Sequence, residues 1–144
     1  MGVGTRKGHI LRRVYPAYRG GDVARVERDE SREHRIAYEI IVDAYGEEEQ
    51  ALGWYYYLQD RLTFPFRARC ISERRISPLR VGEVVQVTGM CSEEDCLHEM
   101  FVEVDWQGRS FGTPLSQLEG VFLEDEARLA LEDWQYWIAM GYQL

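Results

Sequence analysis

FPFRARCIS, from Phe64 to Ser72, is where the periodicity of this chain changes. Upstream, apolar residues recur at helical spacing, with Leu52, Tyr55, Tyr56 and Leu58 continuing toward Leu62. Downstream they alternate, the pattern of a strand with one face buried. Pro65 marks the boundary because it lacks an N–H and its ring clashes with the preceding turn of a helix.

Toward the C-terminus the period of two persists. FRARCIS (66–72), VGEVVQVTGM (81–90, after Pro78) and MFVEVDW (100–106) predict strands. Gln107-Gly108 predicts a tight turn into RSFGTPL, and PLSQLEGV predicts a helical turn before a last short strand. Four or five short strands at these spacings imply a small closed or nearly closed antiparallel barrel, similar to the SH3-like arrangement. A final helix is expected from about Glu124 to Met140, with Ala127, Leu131, Trp134, Trp137 and Ile138 on its apolar face.

Toward the N-terminus, one helix should begin at Glu47, where Glu47, Glu48 and Glu49 face the positive end of the helix dipole. Another should run from Ser31 as N-cap through Ile36, Ile40, Ile41 and Ala44, with Gly46 as its stop. The expected fold is therefore α+β: two N-terminal helices, a small SH3-like antiparallel β-barrel and a C-terminal helix in one domain over 31–144. Residues 1–30 read as a basic arm, with glycines at 2, 4, 8, 20 and 21 and only short apolar pieces, room for one edge strand at most.

Charge narrows the function. The net charge is -8, yet five basic residues, Arg6, Lys7, Arg12, Arg13 and Arg19, precede the first acid, Asp22. The rest of the chain therefore carries the whole net charge and five further negative charges. Such a body repels nucleic acid and anionic lipid and attracts cations, so no nucleic-acid or membrane partner is expected. No stretch has the apolar core of a signal peptide or the length to span a membrane, and three cysteines are an odd number for a disulfide framework. A cytoplasmic protein with reduced thiols is expected. There is no nucleophile elbow, phosphate-cradling loop, dinucleotide fingerprint or HExxH helix, so the chain is not expected to be an enzyme.

The densest chemistry lies in GMCSEEDCLHEM, from Gly89 to Met100, the loop between the second and third long strands. Glu93, Glu94, Asp95 and Glu99 offer the hard oxygen donors that calcium takes, and a solvated acidic hairpin is the plain structural alternative. Cys91, Cys96 and His98, with Cys70, offer the softer set that zinc takes, but Cys-x4-Cys-x-His departs from zinc-knuckle spacing and Cys70 shares a strand face with Phe66 and Ala68. No segment has the ligand order of an EF-hand. Further acids available to a calcium ion are Asp43, the turn beginning at Glu47, and Asp60, an acid near a helix C-terminus where the dipole opposes it. GWYYYLQD, from Gly53 to Asp60, reads chiefly as rings for the core and for the helix-to-sheet interface. The other function class consistent with these features is an SH3-like interaction module whose acids only solubilise it, with a protein partner that the sequence does not name.

IVDAYGEEEQALGWYYYLQDRLTFPFRARC, SPLRVGEVVQVTGM, the acidic loop with Cys96, EMFVEVDW and the PLSQLE turn together resemble the bacterial calcium-binding protein family typified by CcbP, over roughly Arg35 to Trp137. The resemblance implies a small acidic protein that binds Ca2+ reversibly without an EF-hand, as a buffer or signalling reservoir. It implies ligands from the acidic helix end, here Asp60, and from the acidic loop, here Glu93, Glu94, Asp95 and Glu99. Gly46 stands where the family's DAYDEEE-like motif has an acid, and the basic arm lies outside the resemblance.

Overall fold

The computed structural model describes residues 12–13 and 26–144. In chain order the elements are β1 (Arg12–Arg13), α1 (Glu30–Arg35), a π-helical turn (Ile36–Ile40), α2 (Glu47–Arg61), β2 (Phe66–Cys70), β3 (Val84–Met90), β4 (Phe101–Trp106), β5 (Arg109–Pro114), β6 (Leu118–Val121), α3 (Asp125–Ala139) and β7 (Tyr142–Gln143). The α+β class follows directly. Of the expected arm, Arg12 and Arg13 pair antiparallel with Gln143 and Tyr142, and the other residues up to 25 lie outside the described residues.

The first helix differs from expectation at both ends. Its N-cap is Asp29, not Ser31: the Asp29 carboxylate accepts the Arg32 N–H at 3.0 Å, and the Asp29 N–H donates to the Tyr136 hydroxyl at 3.0 Å. Two good caps stand two residues apart, and the tertiary bond to Tyr136 favours the earlier one. At the other end the helix widens, so that Ile41 N–H reaches Ile36 C=O at 2.9 Å, and Asp43 then turns left-handed at φ 60. Gly46 does not stop this helix; it is the extended N-cap of α2. Gly53, inside α2, lies against the widened turn, where a Cβ would stand 2.4 Å from the Ile40 carbonyl oxygen. The close approach of these two segments therefore requires glycine at 53.

The five-stranded sheet is antiparallel throughout, in the order β5-β4-β3-β2-β6. Phe66, Ala68 and Cys70 face inward opposite Val85 and Val87, while Arg67 and Arg69 face out, as the alternation requires. Gln107 and Gly108, at φ 51 and 78, make the tight turn between β4 and β5. No ladder joins β5 to β6, so the barrel expected from the strand spacing is not closed. β5 ends at Pro114, which has no N–H to donate, and the chain leaves through a 3-10 turn at Leu115–Gln117 into a four-residue β6 that pairs with β2. α3 packs on β6 and on that turn, and α2 packs on β3 and α3. Between the two long helices lie Trp54, Trp134 and Trp137, all fully buried, with ring centroids 5.0 to 5.6 Å apart.

Two buried acids lock α1 to α3. Asp133, with no solvent exposure, accepts from Arg32 Nη1 at 2.7 Å, from Arg35 Nε and Nη2 at 2.8 Å each, and from the Tyr57 hydroxyl at 2.7 Å. Glu33 accepts from the hydroxyls of Tyr136 at 2.7 Å and Tyr142 at 3.1 Å, with Arg28 Nη1 at 3.7 Å. A buried carboxylate is tolerated when its lone pairs are satisfied and its charge is paired, as here. Asp133→Asn is expected to lower the unfolding free energy by about 3 kcal/mol, read from urea denaturation, because it strands two guanidinium groups. Burial, reinforced by Asp133 and Glu33, pushes the phenols of Tyr57, Tyr136 and Tyr142 above the ordinary tyrosine value of about 10. The unfolded phenols ionise first, so this contribution to stability is complete below pH 10 and is lost as pH rises toward the folded values. Melting temperatures across alkaline pH should fall, and more gently in Tyr57→Phe.

Candidate metal centre

The loop from Cys91 to Met100 connects β3 to β4. Its ends are fixed by the ladder, with Cys91 N–H on Phe101 C=O at 3.0 Å, and its middle winds into a 3-10 turn at Glu94–Cys96. Ser92 organises that turn: its hydroxyl donates to Asp95 Oδ2 at 3.0 Å, and its carbonyl accepts the Asp95 N–H at 3.0 Å. This geometry sorts the side chains by chemistry. Cys91 and Cys96 point into the core, whereas Glu93, Glu94 and Asp95 are exposed. Hard oxygens therefore face the solvent and soft sulfurs do not.

Helix α2 holds the loop in place. The Tyr55 hydroxyl donates to the Cys91 carbonyl at 2.7 Å, and the Tyr56 hydroxyl donates to the Glu93 carboxylate. The Glu93 hydrogen bond raises the Tyr56 phenol, and burial raises that of Tyr55. Residues four apart on a helix share a face, so Tyr56 brings Glu93 to the face that also carries Asp60 one turn on. Asp60 is exposed and makes no hydrogen bond or ion pair among the described residues. Of the aromatic run whose rings were expected in the core and at the interface with the sheet, Trp54, Tyr55 and Tyr57 are buried, and Tyr56 is exposed on the loop.

The other acids fall elsewhere. Arg74 grips Glu99 with two nitrogens at 2.9 and 3.1 Å, and Ser116 adds a third bond at 3.1 Å, so Glu99 anchors the loop to the segments before β3 and after β5. Asp43 and Glu47 are exposed at the N-terminal end of α2. Thirteen residues of helix separate Glu47 from Asp60, about 20 Å, so the two cannot hold one ion. Glu49 accepts the Tyr45 N–H at 2.7 Å and serves the helix start. Among the described residues no set of three His, Cys, Asp or Glu is gathered closely enough to hold a metal. The exposed acids are consequently separate oxygen donors and not a preformed ligand set.

The zinc set is taken apart by the fold. Cys70 is in the core, donating to Ser72 C=O at 3.1 Å and receiving Gln117 Nε2 at 3.6 Å, while His98 is exposed. Burial, then Glu103 nearby, pushes the Cys91 thiol up to about 12. A cleft of about 450 Å³ lined by Arg67, Glu83, Val84, Gln86, Asp105 and Trp106 opens at the other end of the β3–β4 hairpin from the acidic loop.

Comparison with known proteins agrees with this donor chemistry. A family model named Calci_bind_CcbP and described as "Calcium binding" matches residues 34–138. Two solved structures are similar to the chain. "The crystal structure of Anabaena CcbP" is 45% identical with a TM-score of 0.74, over 84% of this chain and 99% of that one. "Calcium binding protein in the calcium-binding form" is 44% identical with the same TM-score and the same coverage. The curated proteins give no match. With oxygen donors outside, thiols inside and the family model spanning the helices and the sheet, the chain belongs to the CcbP family of calcium-binding proteins.

Proposed function

We propose that this chain binds calcium ions reversibly at the Cys91–Met100 loop, by binding alone and without covalent chemistry, and works as a cytoplasmic buffer or signalling reservoir. Glu93, Glu94 and Asp95 are the loop donors in this reading, and Asp60 is the helix donor that Tyr56 brings to the same face. The observation that carries it is the pinning of the loop by Tyr55 and Tyr56, which leaves three consecutive carboxylates exposed beside the last turn of α2. Their mutual repulsion is relieved by a divalent cation, and loop carbonyls and water complete the ~6–8 oxygens that calcium takes. Glu99, already satisfied by Arg74 and Ser116, sets the loop's shape. Asp43 and Glu47 form a separate acidic edge at the start of α2 rather than part of the same site.

We take 31–144 as the calcium-binding domain and 1–30 as a basic arm. The finer fold reading is SH3-like: a meander of β2 to β5, a 3-10 turn, and β6 returning beside β2 support that assignment. Membership of a calcium-binding family supports the calcium reading over an interaction module.

Calorimetric titration of chelator-treated protein is expected to show saturable calcium binding that magnesium leaves nearly unchanged. Asp95→Asn or Asp60→Asn should each weaken it on the order of tenfold, about 1.4 kcal/mol. Calcium at 100 times its dissociation constant should stabilise the fold by about 2.7 kcal/mol, visible as a raised melting temperature. If both substitutions leave the affinity untouched, the ligand assignment fails.

A further inference from the structure

Among the described residues Phe122 is the most exposed of the large apolar side chains, at 97%, and it stands in left-handed backbone at φ 59. A bulky residue adopts that conformation only where the surroundings impose it, and such outliers point to function. The local cause is Leu123, which folds back over the backbone of Gly120, where a Cβ would meet Leu123 Cδ1 at 2.2 Å. Tucking Leu123 inward turns Phe122 out. The ring itself walls one side of a cleft of about 220 Å³, whose other walls are the apolar Pro65, Phe66, Val121, Leu123 and Ala127 and the polar Thr63, Arg67 and Glu124, a hollow of mixed character with room for a phenyl ring. Knob and hollow thus share one face, the arrangement from which a twofold contact is built: each copy offers the same patch, and each ring enters the other's hollow.

Charge selects the occupant. The chain as a whole, at -8, repels other acidic bodies, its own copies included. The charged residues that line this cleft, however, are one of each sign, Arg67 and Glu124, and the acids that follow Glu124 are themselves paired with arginines. Arg128 lies 2.6 Å from Asp125 and Arg61 3.9 Å from Glu126, all partly or fully exposed pairs that a partner copy could exchange. A locally neutral patch of mixed sign suits a second copy of itself and offers no excess charge to a nucleic acid or a charged membrane. β6 is also a sheet edge at this corner, so it presents backbone groups that pair readily. We propose that the corner between β6 and α3 is a homodimer contact, with Phe122 of each copy seated in the hollow of the other.

The test is sedimentation equilibrium of the full chain over a concentration series, wild type against Phe122→Gly. Glycine accepts the left-handed backbone, so the variant should keep or raise the melting temperature of the monomer and cannot lose association by unfolding. The wild type is expected to rise from one toward two copies with concentration, and the variant to associate at least about tenfold more weakly. A wild type that stays monomeric at the highest concentration would overturn the proposal and leave the ring to some other partner. A variant that dimerises as tightly as the wild type would overturn it too.

Discussion

The carboxylate of Asp133 is the hub that ties the two earlier helices to α3. It takes four donors from two segments, Arg32 and Arg35 of α1 and Tyr57 of α2, while itself sitting on α3 with no exposure to water. With α1 fixed on α3, the widened turn after it is fixed too, and Gly53 lets α2 press against that turn. The three consecutive tyrosines of α2 then divide the work by the 100° step of a helix. Tyr57 reaches back to Asp133, whereas Tyr55 and Tyr56 reach out to Cys91 and Glu93. The position of the acidic loop therefore depends, through one helix, on a buried charge cluster at the far side of the core.

In the proposed calcium site, the preference for calcium over zinc rests on which atoms the loop shows. The Ser92 turn points Glu93, Glu94 and Asp95 outward and both cysteines inward, so a cation in water meets oxygen and not sulfur. Because these acids are exposed, a cation can reach them without rearrangement of the core. Reversible binding of a cation is what we propose for such a surface.

Much of this was legible in the chain. The change of period at Pro65 separates helices from sheet, and the alternation in 66–72, 81–90 and 100–106 places Phe66, Ala68, Val85 and Val87 inside, because a strand with one wet face leaves that trace. The acidic loop was also plain, since its carboxylates are contiguous. What could not be read were relations between distant segments. Glu33 and Asp133 look like any of the 25 acids until Tyr136, Arg32 and Arg35 are brought to them from about a hundred residues away. Arg74 and Glu99 are likewise paired by the fold and not by spacing. Closure of the barrel depends on whether two edge strands meet, which alternation within each strand does not determine.

Amide NMR of the chelator-treated full chain, titrated with calcium, tests the central claim most directly, because it locates the ion without altering a residue. The account predicts saturable shifts concentrated in Ser92–Glu99 and in the last turn of α2 around Asp60, with α1 and the surroundings of Asp133 unmoved. Shifts confined to the Asp43 and Glu47 end of α2, or none at any calcium concentration, would contradict it.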